Sequence, residues 1–198
     1  MYLPTHFEGS HEQAADLMLQ HPFATLVSVD DAGLPFVTHL PLHMEMNEEA
    51  ADLHFVGACR QGKPHWRFLR DRSRVVVTFL GPHAYLSPKV YPDLVRVPTW
   101  NYLTVHCTVQ ATLLENAASK DSLLKKLIGD HEPAYAEQWR GMDDAYAGKM
   151  LAGIVAFELQ VMDLQCKLKL NQHRPRPFQP RRPFMNVVTM LHRALGAG

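Results

Sequence analysis

The chain has 198 residues, of which 46% are hydrophobic, and its 20 basic residues balance 20 acidic ones. This composition suffices for a globular core, and no apolar run approaches the roughly 18 residues of a membrane-spanning helix. The N-terminus lacks the features of a signal peptide. Cys59, Cys107 and Cys166 do not have zinc-site spacing, so we expect small buried thiols in a cytoplasmic protein.

Local signals divide the first part of the chain into helices and strands. Ser10 and Gln13 form a capping box that opens a short helix, with Leu17 and Met18 on its inner face. Strands are predicted over 23–29, 34–46, 52–58 and 74–80, with a hairpin turn at 30–33 and a helix over 61–70. The prolines at 35 and 41 predict an edge position or a bulge in the second strand.

A long loop is predicted over 81–102, between two strands. It contains three Tyr, one Trp and four Pro. Loops of this length are uncommon and usually functional, and prolines reduce their conformational freedom. The alternative interpretation is a lid that packs over one end of a barrel.

The rest of the chain continues the pattern. An alternating strand is predicted over 101–113, a helix from Asn116 to Ile128 that ends at Gly129, a helical region over 134–152 and a sixth strand over 154–161. Six mostly antiparallel strands with inserted helices indicate a mainly β, α+β protein built on a small barrel.

Charge is distributed unevenly along the chain. No acidic residue follows Asp163, whereas seven basic residues do: Lys167, Lys169, Arg174, Arg176, Arg181, Arg182 and Arg193. We predict one domain over 1–174 and a proline- and arginine-rich extension over 175–198, extended at first and with a short helix over 186–195. A basic segment of this kind is typical of a nucleic-acid contact, of a solvated tail or of an arm that pairs with a second subunit.

Several polar residues are candidates for ligand binding. Arg60 and Lys63 stand where a strand gives way to a helix, a position that suits a phosphate such as that of FMN; two solvated cations are the alternative. Thr38 and His39 could hydrogen-bond a heterocycle, or His39 could be structural. Trp100 and Asn101, with Tyr102, could form an aromatic and amide wall. The chain lacks GxGxxG, GxxxxGK[ST] and HExxH, so Rossmann, P-loop and zincin chemistry are unsupported.

Seven segments carry a resemblance to a known family. They are MYLPTHF at 1–7, HPFATLV at 21–27, THLPL at 38–42, GPHAYLSPKVYP at 81–92, VPTWNYLTVH at 97–106, GIVAFEL at 153–159 and KLKLNQHR at 167–174. In this order they resemble the PaiB-type family, the FMN-binding negative transcriptional regulators. The resemblance covers residues 1–174, and beyond Arg174 the chain departs from the family's acidic ending.

The resemblance implies a split β-barrel of the FMN-binding, pyridoxamine-phosphate-oxidase-like type. It also implies a homodimer that holds FMN in clefts between its subunits. By position in the family's motifs, the residues implied to bind the cofactor are Thr38, His39, Arg60, Lys63, Trp100, Asn101, Lys169 and Gln172.

Three functions follow as hypotheses. The first is a flavin-linked transcriptional regulator or sensor, which could contact DNA through its basic extension. The second is an FMN-dependent oxidoreductase whose substrate the sequence does not identify. The third is a haem-binding split barrel, because the chain contains 12 His.

Overall fold

A computed structural model of the chain describes residues 1–47, 52–90 and 97–172. Its helices are α1 (His11–Gln20), α2 (His65–Asp71), α3 (Ala117–His131), α4 (Ala136–Arg140) and α5 (Asp144–Ala152). Its strands are β1 (Phe23–Val29), β2 (Pro35–Pro41), β3 (His43–Asn47), β4 (Asp52–Arg60), β5 (Arg74–Leu86), β6 (Thr99–Leu114) and β7 (Ile154–Lys169). The predicted extension over 175–198, with its helix over 186–195, lies outside the described residues.

The strands form one sheet in the order β2-β1-β5-β6-β7-β4-β3. The pairs β1–β2, β1–β5, β3–β4 and β4–β7 are antiparallel. The predicted mainly β architecture with inserted helices is therefore confirmed. No helix in the described ranges has the length and apolar character needed to cross a membrane.

The chain divides into two compact units. Unit 1 comprises residues 1–21, 79–106 and the described part of 164–198; unit 2 comprises 22–78 and 107–163. Because β5, β6 and β7 are long, each contributes residues to both units. All three cysteines are buried free thiols, as predicted.

Unit 1 begins with the predicted helix cap. The Ser10 hydroxyl accepts a hydrogen bond from the Gln13 amide at 3.1 Å, and the Gln13 side chain accepts one from the Ser10 amide at 2.9 Å. This capping box satisfies two amide groups that the first turn of a helix leaves unpaired. Leu17 and Met18 are buried, so the predicted inner face of α1 is confirmed.

Unit 2 contains the predicted hairpin of β1 and β2. The Asp30 carboxylate accepts hydrogen bonds from the amides of Ala32 and Leu34, both at 2.9 Å, and Gly33 takes a φ of +80°. A positive φ is readily adopted by glycine, which lacks the Cβ atom that clashes there. Sequence and turn geometry therefore agree at this hairpin.

The interior of unit 2 requires a glycine in β4. A Cβ atom on Gly57 would lie 2.5 Å from Leu42 Cδ2 and 3.2 Å from the Phe157 ring. Any side chain there would displace the leucine or the ring, so Gly57 allows close packing inside the sheet.

The predicted second strand over 34–46 is wrong as a single element, because the chain forms β2 and β3 with a break at Leu42. β2 pairs with β1 as far as Pro41, and the Leu42 amide then donates to the Pro22 carbonyl at 3.0 Å. After this residue the chain changes partner and pairs with β4. Alternation continues through such a break, so it predicts a strand but does not reveal the change of partner.

The predicted loop over 81–102 is also corrected. β5 continues to Leu86 and β6 starts at Thr99, so both ends of the segment are strand. The connection is reduced to 87–98, within which 91–96 lie outside the described residues. Gly81 and Pro82 weakened the strand signal, because these two residue types are depleted in strands.

Three helix predictions need adjustment. α2 begins at His65 instead of 61, and Gly129 lies inside α3 instead of ending it. The predicted region over 134–152 consists of α4 and α5, and the Asp143 carboxylate caps α5. The predicted Asn116 cap is confirmed, since its side chain accepts from the Ser119 amide at 2.7 Å.

Candidate functional site

The predicted site residues fall into two sets. Unit 2 holds Thr38, His39, Arg60 and Lys63, and unit 1 holds Trp100, Asn101, Lys169 and Gln172.

Arg60 and Lys63 form an exposed cationic turn in unit 2. Arg60 ends β4, and its carbonyl accepts a hydrogen bond from the Lys63 amide at 2.9 Å, which closes the turn before α2. Both side chains are exposed, and no carboxylate in the described part of the chain pairs with either. Their donors are therefore available to an anion from solution.

Thr38 is buried in β2 and already has a partner. Its hydroxyl lies 2.7 Å from Nδ1 of His65, which packs edge-on against the Phe36 ring. Burial, and secondarily the charge of Lys63, lowers the pKa of His65 to about 4. The imidazole is therefore neutral at pH 7 and joins α2 to β2.

His39 lies on the outer face of the same strand. Its Nδ1 is 3.0 Å from the Thr25 hydroxyl, and its ring stacks on Phe23 with centroids 6.5 Å apart. Because residues alternate across a strand, Thr38 and His39 face opposite sides of β2. One ligand cannot contact both side chains from a single face.

Trp100 belongs to an exposed aromatic cluster in unit 1. Its ring centroid is 6.1 Å from that of His83 and 6.0 Å from that of Tyr85. Trp100 and Tyr85 are each about half exposed. Such a cluster offers flat apolar area beside polar edges, which suits a planar ring.

Lys169 fixes the backbone next to this cluster. Its Nζ donates to the Thr99 hydroxyl at 2.6 Å and to the Trp100 carbonyl at 2.8 Å, and it lies 5.9 Å from the Tyr102 ring centroid. These contacts engage the ammonium group and hold the start of β6. A direct contact of Lys169 with a flavin stays a prediction.

Sequence reasoning missed the role of Lys167. This side chain is only 8% exposed; its Nζ donates to the Tyr2 carbonyl at 2.9 Å and lies 5.6 Å from the rings of both Tyr2 and Tyr102. Its position two residues before Lys169 on β7 places both lysines on one face, and that spacing was the available signal. Lys167 holds the N-terminal segment.

The two remaining predicted residues of unit 1 are Asn101 and Gln172. Asn101 is buried, and its Oδ1 has no hydrogen-bond partner within the described residues. Gln172 accepts a hydrogen bond from the Leu170 amide at 2.8 Å and stabilises the end of β7. Their contact with a cofactor also stays a prediction.

Unit 2 contains a second polar cluster that the sequence did not indicate. Glu45 is paired with Lys126 and lies 3.4 Å from His54 Nε2, and His43 is 2.6 Å from Asp130. A pocket of about 190 Å³ opens beside Glu45, His54 and Lys126. Two of these pairs connect α3 to β3, and the third connects β3 to β4. Burial acts to raise the pKa of Glu45, but the neighbouring Lys126 outweighs it, so the pKa is lowered. Within the described residues, no group of three or more His, Cys, Asp or Glu side chains is arranged to hold a metal ion.

The donor groups of unit 2 fit one part of FMN. A phosphate dianion forms strong charge-assisted hydrogen bonds with cationic donors. The Arg60–Lys63 turn offers two exposed cations that have no carboxylate partner among the described residues. The aromatic cluster of unit 1 is chemically suited to a planar heterocycle. Bound FMN would supply a ring that accepts and returns electrons.

Comparison with known proteins identifies relatives. The family model described as "Putative FMN-binding domain" matches residues 1–163. Protease synthase and sporulation protein PAI 2 of Bacillus subtilis (strain 168) is 32% identical over 197 residues, which cover 96% of this chain and 89% of that protein.

Solved structures share the fold at low sequence identity. The conserved hypothetical protein Rv2991 from Mycobacterium tuberculosis gives a TM-score of 0.63 at 11% identity, covering 89% of this chain and 95% of that one. The flavocytochrome Anf3 from Azotobacter vinelandii gives 0.63 at 16% identity, covering 89% and 73%. The FAD and heme binding protein from Mycobacterium smegmatis gives 0.55 at 20% identity, covering 81% and 71%.

The family match over most of the chain and the relative from Bacillus agree with each other. The predicted FMN cofactor and split-barrel fold are thereby confirmed. The chain belongs to the PaiB-type family of FMN-binding split-barrel proteins.

Proposed function

We propose that this protein is a flavin-linked transcriptional regulator or sensor that works as a cytoplasmic homodimer. Membership of an FMN-binding family supports the flavin. The name of the Bacillus relative refers to protease synthesis and sporulation, which supports a role in controlling a cellular programme.

The exposed Arg60–Lys63 turn is the single observation that carries the assignment of the binding site. Two cations separated by one turn, with no described carboxylate partner, would bind the phosphate of FMN. Each charged hydrogen bond contributes about 1.5–3 kcal/mol to an interaction of this kind. FMN should therefore bind much more tightly than riboflavin, which lacks the phosphate.

The other predicted residues would act on the ring. In unit 2, Thr25 on β1 and His39 on β2 form an outward-facing polar pair. In unit 1, Trp100 offers an exposed ring. Thr38 would act indirectly, because its hydroxyl is engaged by His65. Lys169 would position Trp100 by holding its carbonyl.

Titration of the purified protein with FMN and with riboflavin tests this assignment. Saturable FMN binding, seen as quenched flavin fluorescence and raised thermal stability, with far weaker riboflavin binding, is the expected result. Arg60→Gln should weaken the binding of FMN and leave the binding of riboflavin unchanged. Arg70→Gln is the matched control, because Arg70 is also exposed but is paired with Asp71. Equal affinity for both flavins would refute the phosphate assignment.

Flavin chemistry without gene control is the second candidate. The family's cofactor is a redox group, so the flavin itself would supply the chemistry of an oxidoreductase, and only a substrate would have to be added. Oxidation of NADH or NADPH by the FMN-loaded protein, many-fold faster than by free FMN, would support the enzyme over the regulator.

The DNA and haem hypotheses stay predictions. Most of the basic residues invoked for DNA, from Arg174 onward, lie outside the described residues. A chain that ends at Gln172 should lose affinity for promoter DNA if the extension carries the contact, and that affinity should fall steeply with salt. A Soret band on haem titration is the corresponding test for haem.

A further inference from the structure

One short segment of unit 2 concentrates positive charge. Residues 60–74 contain six basic residues and one acidic residue, Asp71, in a chain whose net charge is zero. The six basic residues, all exposed, are Arg60, Lys63, Arg67, Arg70, Arg72 and Arg74. Cations clustered on a surface create a local positive potential that attracts a polyanion.

Helix α2 presents part of this charge on one side. Its buried side consists of His65, Phe68 and Leu69. The other side carries Trp66, Arg67 and Arg70, whose spacing of one, three and four residues keeps them adjacent on a helix surface. We call these three residues the α2 stripe.

The Trp66 ring holds the α2 stripe together. The guanidinium carbons of Arg67 and Arg70 lie 5.3 and 5.6 Å from its centroid, within the range of a cation–π contact. The indole Nε1 donates to the Gln61 carbonyl at 3.0 Å, which ties the stripe to the Arg60–Lys63 turn. Two guanidinium groups held against one ring lose less conformational freedom when they bind an anion.

Both arginines of the stripe can still donate to an anion. Arg67 has no carboxylate partner in the ranges that the structure describes. Arg70 Nε lies 2.7 Å from Asp71 Oδ1, but both side chains of this pair are about half exposed. Exposed ion pairs are weak, so a phosphate can replace the carboxylate. Arg72 differs, because it donates both to Asp31 and to the Val29 carbonyl.

The chemistry of the stripe suits duplex DNA better than a membrane surface. A helix that lies on a membrane inserts an apolar face, whereas Phe68 and Leu69 of α2 are buried in the protein. Duplex DNA carries one negative charge per ~1.7 Å of its axis, and guanidinium groups bind phosphate through paired charge-assisted hydrogen bonds. Contacts of this kind position a protein on DNA without reading its sequence.

We propose that the α2 stripe binds the phosphate backbone of duplex DNA. The contact lies beside the proposed flavin site: Arg60 and Lys63 are assigned to the FMN phosphate, and Arg67 and Arg70 to DNA. It places the DNA contact in the folded domain and not in the basic extension. The inference rests on the proposed role as a regulator and deepens it by assigning the surface that meets DNA.

Fluorescence anisotropy of the full chain with a labelled duplex of mixed sequence tests the proposal. Arg67→Gln combined with Arg70→Gln should lower the affinity about 10-fold or more at about 0.1 M salt. The slope of log K against log salt concentration should become less steep by about 2, because two phosphate contacts are lost.

Two control variants remove the same charge elsewhere. Arg140→Gln with Lys149→Gln alters exposed residues of α4 and α5 in the same unit. Arg181→Gln with Arg182→Gln alters the basic extension. Both controls should bind the duplex as the wild type does, and circular dichroism should confirm that every variant folds.

Four outcomes would overturn the proposal. They are a wild-type chain that does not bind the duplex at low salt, a stripe variant with the affinity and salt slope of the wild type, an equal loss in the α4–α5 control, and a loss confined to the extension variant. The last would place the contact on the extension. Binding to phosphatidylglycerol vesicles that depends on Arg67 and Arg70, without binding to DNA, would make a membrane the partner and would also overturn it.

FMN titration of the stripe variant separates this inference from the proposed flavin site. Its FMN affinity should equal that of the wild type, and a loss would make the two arginines part of the flavin site and overturn their assignment to DNA. Equal affinity of the wild type for FMN and riboflavin would refute the phosphate site at Arg60 and Lys63. It would leave the DNA measurements unaffected, since they are made without flavin.

Discussion

Two pairs of cationic residues in this protein have opposite environments. Arg60 and Lys63 in unit 2 are exposed and have no described carboxylate partner. Lys167 and Lys169 in unit 1 have acceptors: Lys167 donates to the Tyr2 carbonyl, and Lys169 to the Thr99 hydroxyl and the Trp100 carbonyl. The difference shows that residues of the same type are engaged with protein acceptors in one place and solvated in another.

The distinction follows from what each ammonium or guanidinium group can still donate. A cation whose donors are engaged stabilises the residues that accept them, and removing it costs folding energy. A solvated cation contributes little to stability but can bind an anion with little rearrangement. Removing an engaged cation should therefore lower the free energy of unfolding, whereas removing a solvated cation should lower the affinity for an anion.

The largest expected effect is on FMN affinity. Arg60→Gln combined with Lys63→Gln should lower it about 100-fold or more, since two charged hydrogen bonds to the phosphate would be lost. Riboflavin affinity should not change. Isothermal calorimetry with both flavins measures the effect, and Arg70→Gln should bind FMN as the wild type does. A parallel loss for FMN and riboflavin would mean that the turn does not contact the phosphate.

The next effect concerns His65, whose pKa is lowered to about 4 by burial and by Lys63. The unfolded state takes up this proton near pH 6.5 and the folded state does not. The free energy of unfolding is therefore not reduced by this group above about pH 6.5. It decreases as the pH falls toward 4, by up to about 3 kcal/mol. Urea unfolding at several pH values measures it.

His65→Gln is the control for this pH dependence, because glutamine does not titrate. Its stability should change less across the same window than that of the wild type. Lys63→Gln should raise the pKa of His65 and narrow the window, because one of the two causes of the low pKa is removed. Identical pH profiles of stability for the wild type and both variants would contradict the assignment of this pH dependence to His65.

A smaller effect is expected for Lys169→Met. The loss of its hydrogen bonds to Thr99 and Trp100 should reduce the free energy of unfolding by about 2 kcal/mol. Arg60→Gln should alter it by less than about 0.5 kcal/mol. If Lys169→Met instead kept full stability and lost FMN affinity, Lys169 would be a direct ligand. Its role would then not differ from the one proposed for Arg60 and Lys63.

The smallest effect is expected for Thr99→Val, which removes one acceptor of Lys169 and keeps the shape of the side chain. It should cost about 1 kcal/mol in denaturant unfolding. In the background of Lys169→Met the same substitution should cost almost nothing, since the hydrogen bond is already absent. Additive losses in this double-mutant cycle would show that the two residues are not coupled.

Much of the fold was predictable because its signals are local. The Ser10 capping box, the hairpin at 30–33 and the Asn116 cap depend on residues within four positions of one another, and all three are confirmed. The alternation over 101–113 predicted a strand whose inner residues Leu103, Val105 and Cys107 are fully buried. Family motifs supplied the flavin, which no local pattern could name.

The sequence by itself determined which residues alternate, which side chains cap the helices and which motifs place the chain in its family. Tertiary structure alone decided that the chain changes partner at Leu42, that β5 and β6 extend into the predicted loop, and that Lys169 contacts Thr99, 70 residues earlier. The physical reason is range: a cap or an alternating pattern depends on neighbours in sequence, whereas strand partners and buried donors depend on residues that only folding brings together.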